Sequence, residues 1–384
     1  MGWGMAWPYL PNYIRLLGGD MLFVALLSVL FNLFSSFGQY FWGRKSDALQ
    51  RRKPFIITGL LFSGLFFLVM GLVQNAVAVL TLRAFQGFFA AAQTPAISAL
   101  VSELSENVGR GFGIFNMFSN AGFMLGNFIS GYILNYLSIN YVFVLSVIPL
   151  FFAFFIVLFF KEDVKEPKDF RFLFRYDRPG RTVFSINKSR EFLKKNKNIL
   201  IFTVSIFVLM LSAGMVYSYL SLLLSSRFGN NFVGYYYGID GLFSAFLIYP
   251  FGYLTDRYGS KVIVVYGTLM YIVTFVMYAI STTMPMILIT ALISGSKWAS
   301  YFNSINVYTA RMSSHNERAT ALGVMNSGIA AGWVIGPLLG AYIVMLFGLA
   351  NMMLIATIPV ALSLIILVAK TKNDRGYEDG RKIN

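Results

Sequence analysis

The stretch GRKSDALQRRK, Gly43 to Lys53, returns roughly 210 residues later as GYLTDRYGSK, Gly252 to Lys261. Each copy has a glycine, an acid four residues on, and then basic residues, and each lies between long apolar runs. That order predicts a tight charged loop joining two membrane helices. Its recurrence predicts that the chain is built of two related halves.

The repeat extends beyond the loops. Gly4-Met5 matches Gly214-Met215, and Gly113, Asn116, Gly122 and Gly126 match Gly323, Asn326, Gly332 and Gly336 at nearly the same offset. Parallel halves of this kind are expected of a transporter that rocks one bundle against the other around a central site.

Composition agrees. With 57% hydrophobic and 12% charged residues in 384, the chain has too little polar surface to coat a soluble globule. There is no cysteine, which excludes disulfides and thiolate metal sites, and the lone His315 falls in a polar loop, so no metal site is expected. No GxxxxGK[ST] phosphate loop is present, and an intramembrane catalytic dyad lacks a second buried acid. Neither an enzyme nor a nucleotide-driven pump is expected, and no cofactor.

At about 20 residues per span, the apolar runs predict an all-α membrane protein with twelve transmembrane helices. Six fall near residues 1 to 17, 21 to 43, 54 to 74, 76 to 102, 110 to 137 and 141 to 160. Their counterparts fall near 199 to 226, 231 to 254, 261 to 281, 284 to 310, 319 to 346 and 349 to 370. The expected division is an N-terminal six-helix bundle over 1–160, a linker over 161–198, a C-terminal bundle over 199–370 and a tail over 371–384. Only three residues precede Gly4, so the first helix is expected to be truncated at its N-terminus.

All but four of the 31 Lys and Arg residues lie in alternate loops, the linker and the tail; the exceptions are Arg15, Arg83, Arg227 and Lys297. The positive-inside bias then places both termini and the linker in the cytoplasm of a multi-pass plasma-membrane protein. Because this charge flanks spans rather than forming one basic domain, the lipid bilayer and not nucleic acid is the expected partner. A monomer is expected.

These residues resemble the major facilitator superfamily over essentially the whole chain, most closely its twelve-helix drug:proton antiporter branch. The two charged loops are similar to the family signature between helices 2 and 3 and its weaker copy between helices 8 and 9. The resemblance implies gating roles for Gly43, Asp47, Arg51 and Arg52, and for Gly252, Asp256, Arg257 and Lys261. Ala48 stands where an arginine usually follows the acid. Arg83-Ala84-Phe85-Gln86-Gly87 resembles the RxxQG element associated with proton coupling, and Trp7-Pro8-Tyr9-Leu10-Pro11 resembles the PxxP element of drug:proton antiporters. In place of the usual helix 5 glycine-proline kink stands Gly122 to Gly126, with the proline in the repeat at Gly336-Pro337. These small residues are expected to allow close packing between the halves.

Ionisable groups inside spans cost roughly 2.5 to 3.5 kcal/mol each at mid-bilayer and mark function by default. Three stand well inside: Arg83, Asp240 and Lys297. Helical rise puts Asp240 about 18 Å and Lys297 about 21 Å from the cytoplasmic ends of their helices, at similar depth. An ion pair between them, broken by protonation or by an anionic substrate, is the expected coupling element. Asn12, Tyr13, Asn116, Asn120, Trp298, Tyr301, Phe302 and Asn303 are further cavity candidates. The expected function is alternating-access transport of a small organic solute. Efflux of a drug or metabolite coupled to protons is the first reading, with sodium as the other possible coupling ion. Uptake of a sugar or organic anion by symport is the alternative.

Overall fold

The computed structural model describes residues 1–49, 51–105, 108–162, 192–193, 196–314, 317–375, 377–378 and 381–382. His315 and most of the linker lie outside them.

The apolar runs form helices, beginning with α1 (residues 2–16), α2 (Met21–Leu49) and α3 (Lys53–Leu72). The first bundle continues with α4 (Ala76–Leu104), α5 (Val108–Ile133) and α6 (Ile139–Phe159). In the second half come α7 (Lys197–Phe228), α8 (Asn230–Tyr258), α9 (Ser260–Ile280) and α10 (Met284–Arg311), followed by α11 (318–347) and α12 (349–370). Among the described residues seven stretches qualify as spans by length and apolarity alone, one of them the joined α11 and α12. Helices α1, α5, α8 and α10 fall short of that measure, and α8 and α10 each carry an ionisable residue in mid-span. The fold is thus the expected all-α arrangement of twelve helices in two bundles. The tail adds a two-residue antiparallel pairing of Tyr377 with Lys382.

Proline sets the local breaks. In α1, Pro8 lacks an amide hydrogen and the chain tightens into a 3-10 turn over Trp7–Tyr9 between two α-helical segments. Helix α6 turns at Ser146 (φ −62°, ψ −17°), three residues before Pro149, and α12 turns at Ala356 (φ −62°, ψ −16°), three before Pro359. The same break at corresponding positions is the internal repeat expressed in backbone angles.

The charged repeats are mostly helix and not loop. Residues Gly43 to Leu49 extend α2, and Gly252 to Tyr258 extend α8. Polarity marks where the apolar run stops, but backbone hydrogen bonding continues beyond it, so the turn proper is much shorter than the charged segment. In the second copy it is essentially Gly259, whose φ of +91° favours a residue without Cβ.

Two compact units result. One holds α1–α6 with residues 224–238, and the other holds the rest of α7 and α8 together with α9–α12. In the first unit, Gly122 and Gly126 bring α5 against the start of α1: a Cβ on Gly126 would lie 3.0 Å from the Met5 amide. In the second, Gly332 and Gly336 do the same for α11 and α7, with Gly336 3.0 Å from Gly214 Cα by the same measure. These glycines were expected to pack between the halves. They instead close equivalent seams within each unit, because each glycine's missing Cβ is directed at a neighbour of its own bundle. Pro337 joins the seam: its carbonyl accepts a hydrogen bond from the Tyr219 hydroxyl at 3.0 Å.

Candidate functional site

Asp240 on α8 and Lys297 on α10 are brought together by Gly295. A Cβ at Gly295 would meet the Asp240 carbonyl at 3.0 Å and Phe243 Cβ at 2.8 Å, so the helices approach closely where the two ionisable residues stand. Lys297 is fully buried. Its Nζ donates to Ser294 Oγ at 3.1 Å and to the Tyr217 hydroxyl, and lies 4.8 Å and 4.7 Å from the ring centroids of Tyr217 and Tyr271. The ammonium is therefore solvated by two hydroxyls and two aromatic faces.

The expected direct ion pair is absent among the described residues. Asp240 interacts electrostatically with both Lys297 and Ser294, and Ser294 is the residue that both charged groups share. Its Oδ1 has no hydrogen-bond partner among the described residues. That leaves a carboxyl oxygen with unused acceptor capacity beside a cation. That Asp240 and Lys297 stand at matching levels of their helices was legible from helical rise. The intervening serine and the tyrosine cage were not, because they depend on which faces of α7, α9 and α10 meet.

Arg83 occupies the first unit alone, 2% exposed. Its Nη1 donates to Gln86 Oε1, and Gln86 Nε2 donates to the Ser63 carbonyl at 3.3 Å. The guanidinium lies 3.9 Å from the Phe31 ring centroid and 5.6 Å from that of Trp3. No carboxylate pairs with it among the described residues, and its Nε has no partner there. The Arg83–Gln86 spacing thus makes a side-chain pair on one face of α4. Beyond those rings opens a cavity of about 430 Å³, walled by Trp3, Trp7, Phe31 and Phe123 with Gln93 and Thr94.

At the charged turns each unit carries a compact network. In the first, Arg52 pairs with Asp47 at 2.8 Å and with Glu103 at 3.0 Å, and the amides of Arg52 and Lys53 donate to Glu162. In the second, Arg311 pairs with Asp256 at 2.9 Å and Asp374 at 3.3 Å. Asp374 also accepts from the Ser260 amide, the Ser260 hydroxyl and the Lys261 amide, at 2.5–2.9 Å. Burial alone pushes the Asp374 carboxyl up, but its hydrogen bonds outweigh that and leave it below the ordinary carboxylate range.

Three expected lock partners are therefore reassigned. Arg51 is exposed; among the described residues only its carbonyl is engaged, accepting from Ser46 Oγ at 3.2 Å. Arg257 is exposed and lies over the Tyr258 ring. Lys261 turns away from Asp256 and donates to the carbonyls of Thr371 and Val368, satisfying the open end of α12. Lys53 does the same for α6 at the Leu158 carbonyl. Glu162 and Asp374 went unread, although their spacing matches the repeat, because they stand among other charged linker and tail residues.

The remaining candidates divide. Asn12 is buried and donates to Asn230 Oδ1 at 2.9 Å, and the Tyr13 hydroxyl lies 2.9 Å and 2.8 Å from the Met70 and Val73 carbonyls at the end of α3. Tyr301 is buried edge-on to Tyr271, and Trp298 stacks on Phe302 at 4.9 Å. Asn116, Asn120 and Asn303 are exposed. Gly43 stands 3.6 Å from Pro95, and Gly252 3.7 Å from Asn303, measured from a Cβ at each glycine.

A family model described as Major Facilitator Superfamily matches residues 1–239 and 202–382. An uncharacterised MFS-type transporter of Methanocaldococcus jannaschii is 26% identical over 323 residues, 83% of this chain and 79% of that protein. Multidrug resistance protein MdtG of Escherichia coli is 23% identical over 369 residues, 91% of this chain and 85% of that protein. The solved nucleoside transporter NupG has the same fold, with a TM-score of 0.80 at 14% identity over 97% of this chain and 96% of that one. Two six-helix bundles, recurring charged turns and a family match running from residue 1 to residue 382 make this chain a member of the major facilitator superfamily of membrane transporters.

Proposed function

We propose that the protein is a plasma-membrane exporter of a small organic solute, driven by proton exchange, with Asp240 and Lys297 as the coupling element. The observation that carries this reading is the Asp240–Ser294–Lys297 arrangement between α8 and α10, with a carboxyl oxygen left unpartnered among the described residues. Protonation of Asp240 cancels its attraction for Lys297, and release restores it, so two charge states of one cluster accompany two stages of the transport cycle. Multidrug resistance proteins among the relatives support efflux. The networks at Arg52 and Arg311 serve as the charged locks of the cycle, and both termini face the cytoplasm.

An uptake reading, in which an organic anion enters with the coupling ion, draws on the two mid-span cations Arg83 and Lys297 set against one mid-span acid, Asp240. Proteoliposomes holding a trapped pH dye separate the two. Solute-triggered proton movement that disappears in Asp240→Asn supports coupling, and its direction distinguishes antiport from symport. Unchanged pH-driven flux in that variant removes Asp240 from the mechanism.

A further inference from the structure

The cavity in the first unit has no role in the coupling just described, and its chemistry is narrow. Four aromatic side chains, Trp3, Trp7, Phe31 and Phe123, form its wall, Ser35, Gln93 and Thr94 are its polar members, and no ionisable residue lines it. A volume of about 430 Å³ suits a molecule of one to three rings. Trp3 Nε1 is a buried donor with no partner among the described residues.

Charge narrows it further. Arg83 lies directly behind the wall, 3.9 Å from the Phe31 ring centroid. The acids of this unit among the described residues, Asp20, Asp47, Glu103 and Glu162, stand at helix ends or beyond them. A solute stacked on the open side of Phe31 would be about 8 Å from an uncompensated guanidinium. At an effective dielectric constant near 20, that disfavours a unit positive charge by about thirtyfold. The nearby cation therefore selects for a neutral or anionic solute and against a cation.

We infer that this cavity is the solute-binding site and that it takes aromatic solutes that are neutral or acidic, while rejecting permanent organic cations. The inference rests on the reading of the protein as an organic-solute transporter, but it needs neither proton coupling nor a direction of transport.

Equilibrium dialysis of nanodisc-embedded protein, corrected for empty nanodiscs, tests it with three probes: 2-naphthol, 2-naphthoate and trimethyl(2-naphthyl)ammonium. The neutral and anionic probes should bind at least tenfold more tightly than the cation. Trp7→Ala and Phe123→Ala should each weaken them about tenfold, whereas Trp7→Phe should retain most of the affinity. Arg83→Gln should narrow the preference against the cation. Asp240→Asn should leave the order of the probes unchanged even where it abolishes proton movement, which separates failure of this site from failure of the coupling reading. Equal or tighter binding of the cation, no saturable binding of any probe, or binding indifferent to Trp7→Ala would overturn the inference.

Discussion

Two tyrosines flank the Lys297 ammonium, and they hold it differently. Tyr217 offers a ring face and a hydroxyl that accepts from Nζ, while Tyr271 offers a ring face and a buried hydroxyl with no partner among the described residues. Removing the Tyr217 oxygen strips a buried charge of an acceptor, at a cost of about 1–3 kcal/mol. The Tyr271 oxygen makes no such bond. Tyr217→Phe should therefore lower the thermal midpoint of the purified protein by several degrees, and Tyr271→Phe should leave it unchanged or raise it. Equal effects would mean that ring faces alone hold the lysine. Asp374 makes a prediction with a pH sign. Its carboxyl is held below the ordinary range, so the docked tail gains stability that is complete above that range and lost as pH falls through the lowered value. Protease cleavage after Arg375 should stay constant from neutral pH to mildly acidic conditions and rise only in stronger acid. In Asp374→Asn it should already be raised at neutral pH. At this scale the sequence identified the buried charges themselves, since each is conspicuous in an apolar run. Their partners Ser294, Tyr217 and Gln86 look like ordinary helix residues until the helices are packed.

Helices are where the repeat became structure, and glycine positions show how. Gly126 and Gly336 stand in equivalent seams, with a neighbour's backbone within about 3 Å of any added Cβ, while Gly113 on α5 has nothing within 4 Å. Leucine at Gly126 or Gly336 has to push apart two helix backbones, an overpacking cost of typically 1–3 kcal/mol or more. Alanine at Gly113 meets open space and gains up to about 1 kcal/mol of helix propensity. Thermal melting of Gly336→Leu, Gly126→Leu and Gly113→Ala should thus order as destabilised, destabilised and neutral or stabilised. A stable Gly336→Leu variant would show that the α7–α11 seam is not close-packed. The spacing of these glycines was visible in the sequence, but the surface they meet was not. Four-residue spacing defines a smooth stripe on one helix and carries no information about which neighbour covers it. The same limit explains the charged turns: hydropathy ended α2 near Gly43, whereas the helix runs to Leu49 because charged side chains at the membrane boundary reach into water without breaking backbone hydrogen bonds.

For the molecule as a whole, the duplication carried most of what was legible: two bundles, helix count and equivalent breaks in α6 and α12 all follow from one repeat. Charge distribution carried the proposed orientation, and the absence of cysteine makes that directly testable. Gln74 and Thr282 are exposed residues in turns of one class, before α4 and before α10, while Lys161 and Arg375 are exposed beyond the ends of α6 and α12. If basic residues hold their loops in the cytoplasm, single cysteines at the first two positions and at the last two must lie on opposite faces of the membrane. In intact cells a membrane-impermeant maleimide should label Gln74→Cys and Thr282→Cys. It should reach Lys161→Cys and Arg375→Cys only after permeabilisation. The reverse pattern would invert the topology, and with it the side from which the networks at Arg52 and Arg311 are approached. Labelling of all four from outside would break the odd number of crossings, the three helices α4–α6 and the three helices α10–α12, that must separate Gln74 from Lys161 and Thr282 from Arg375.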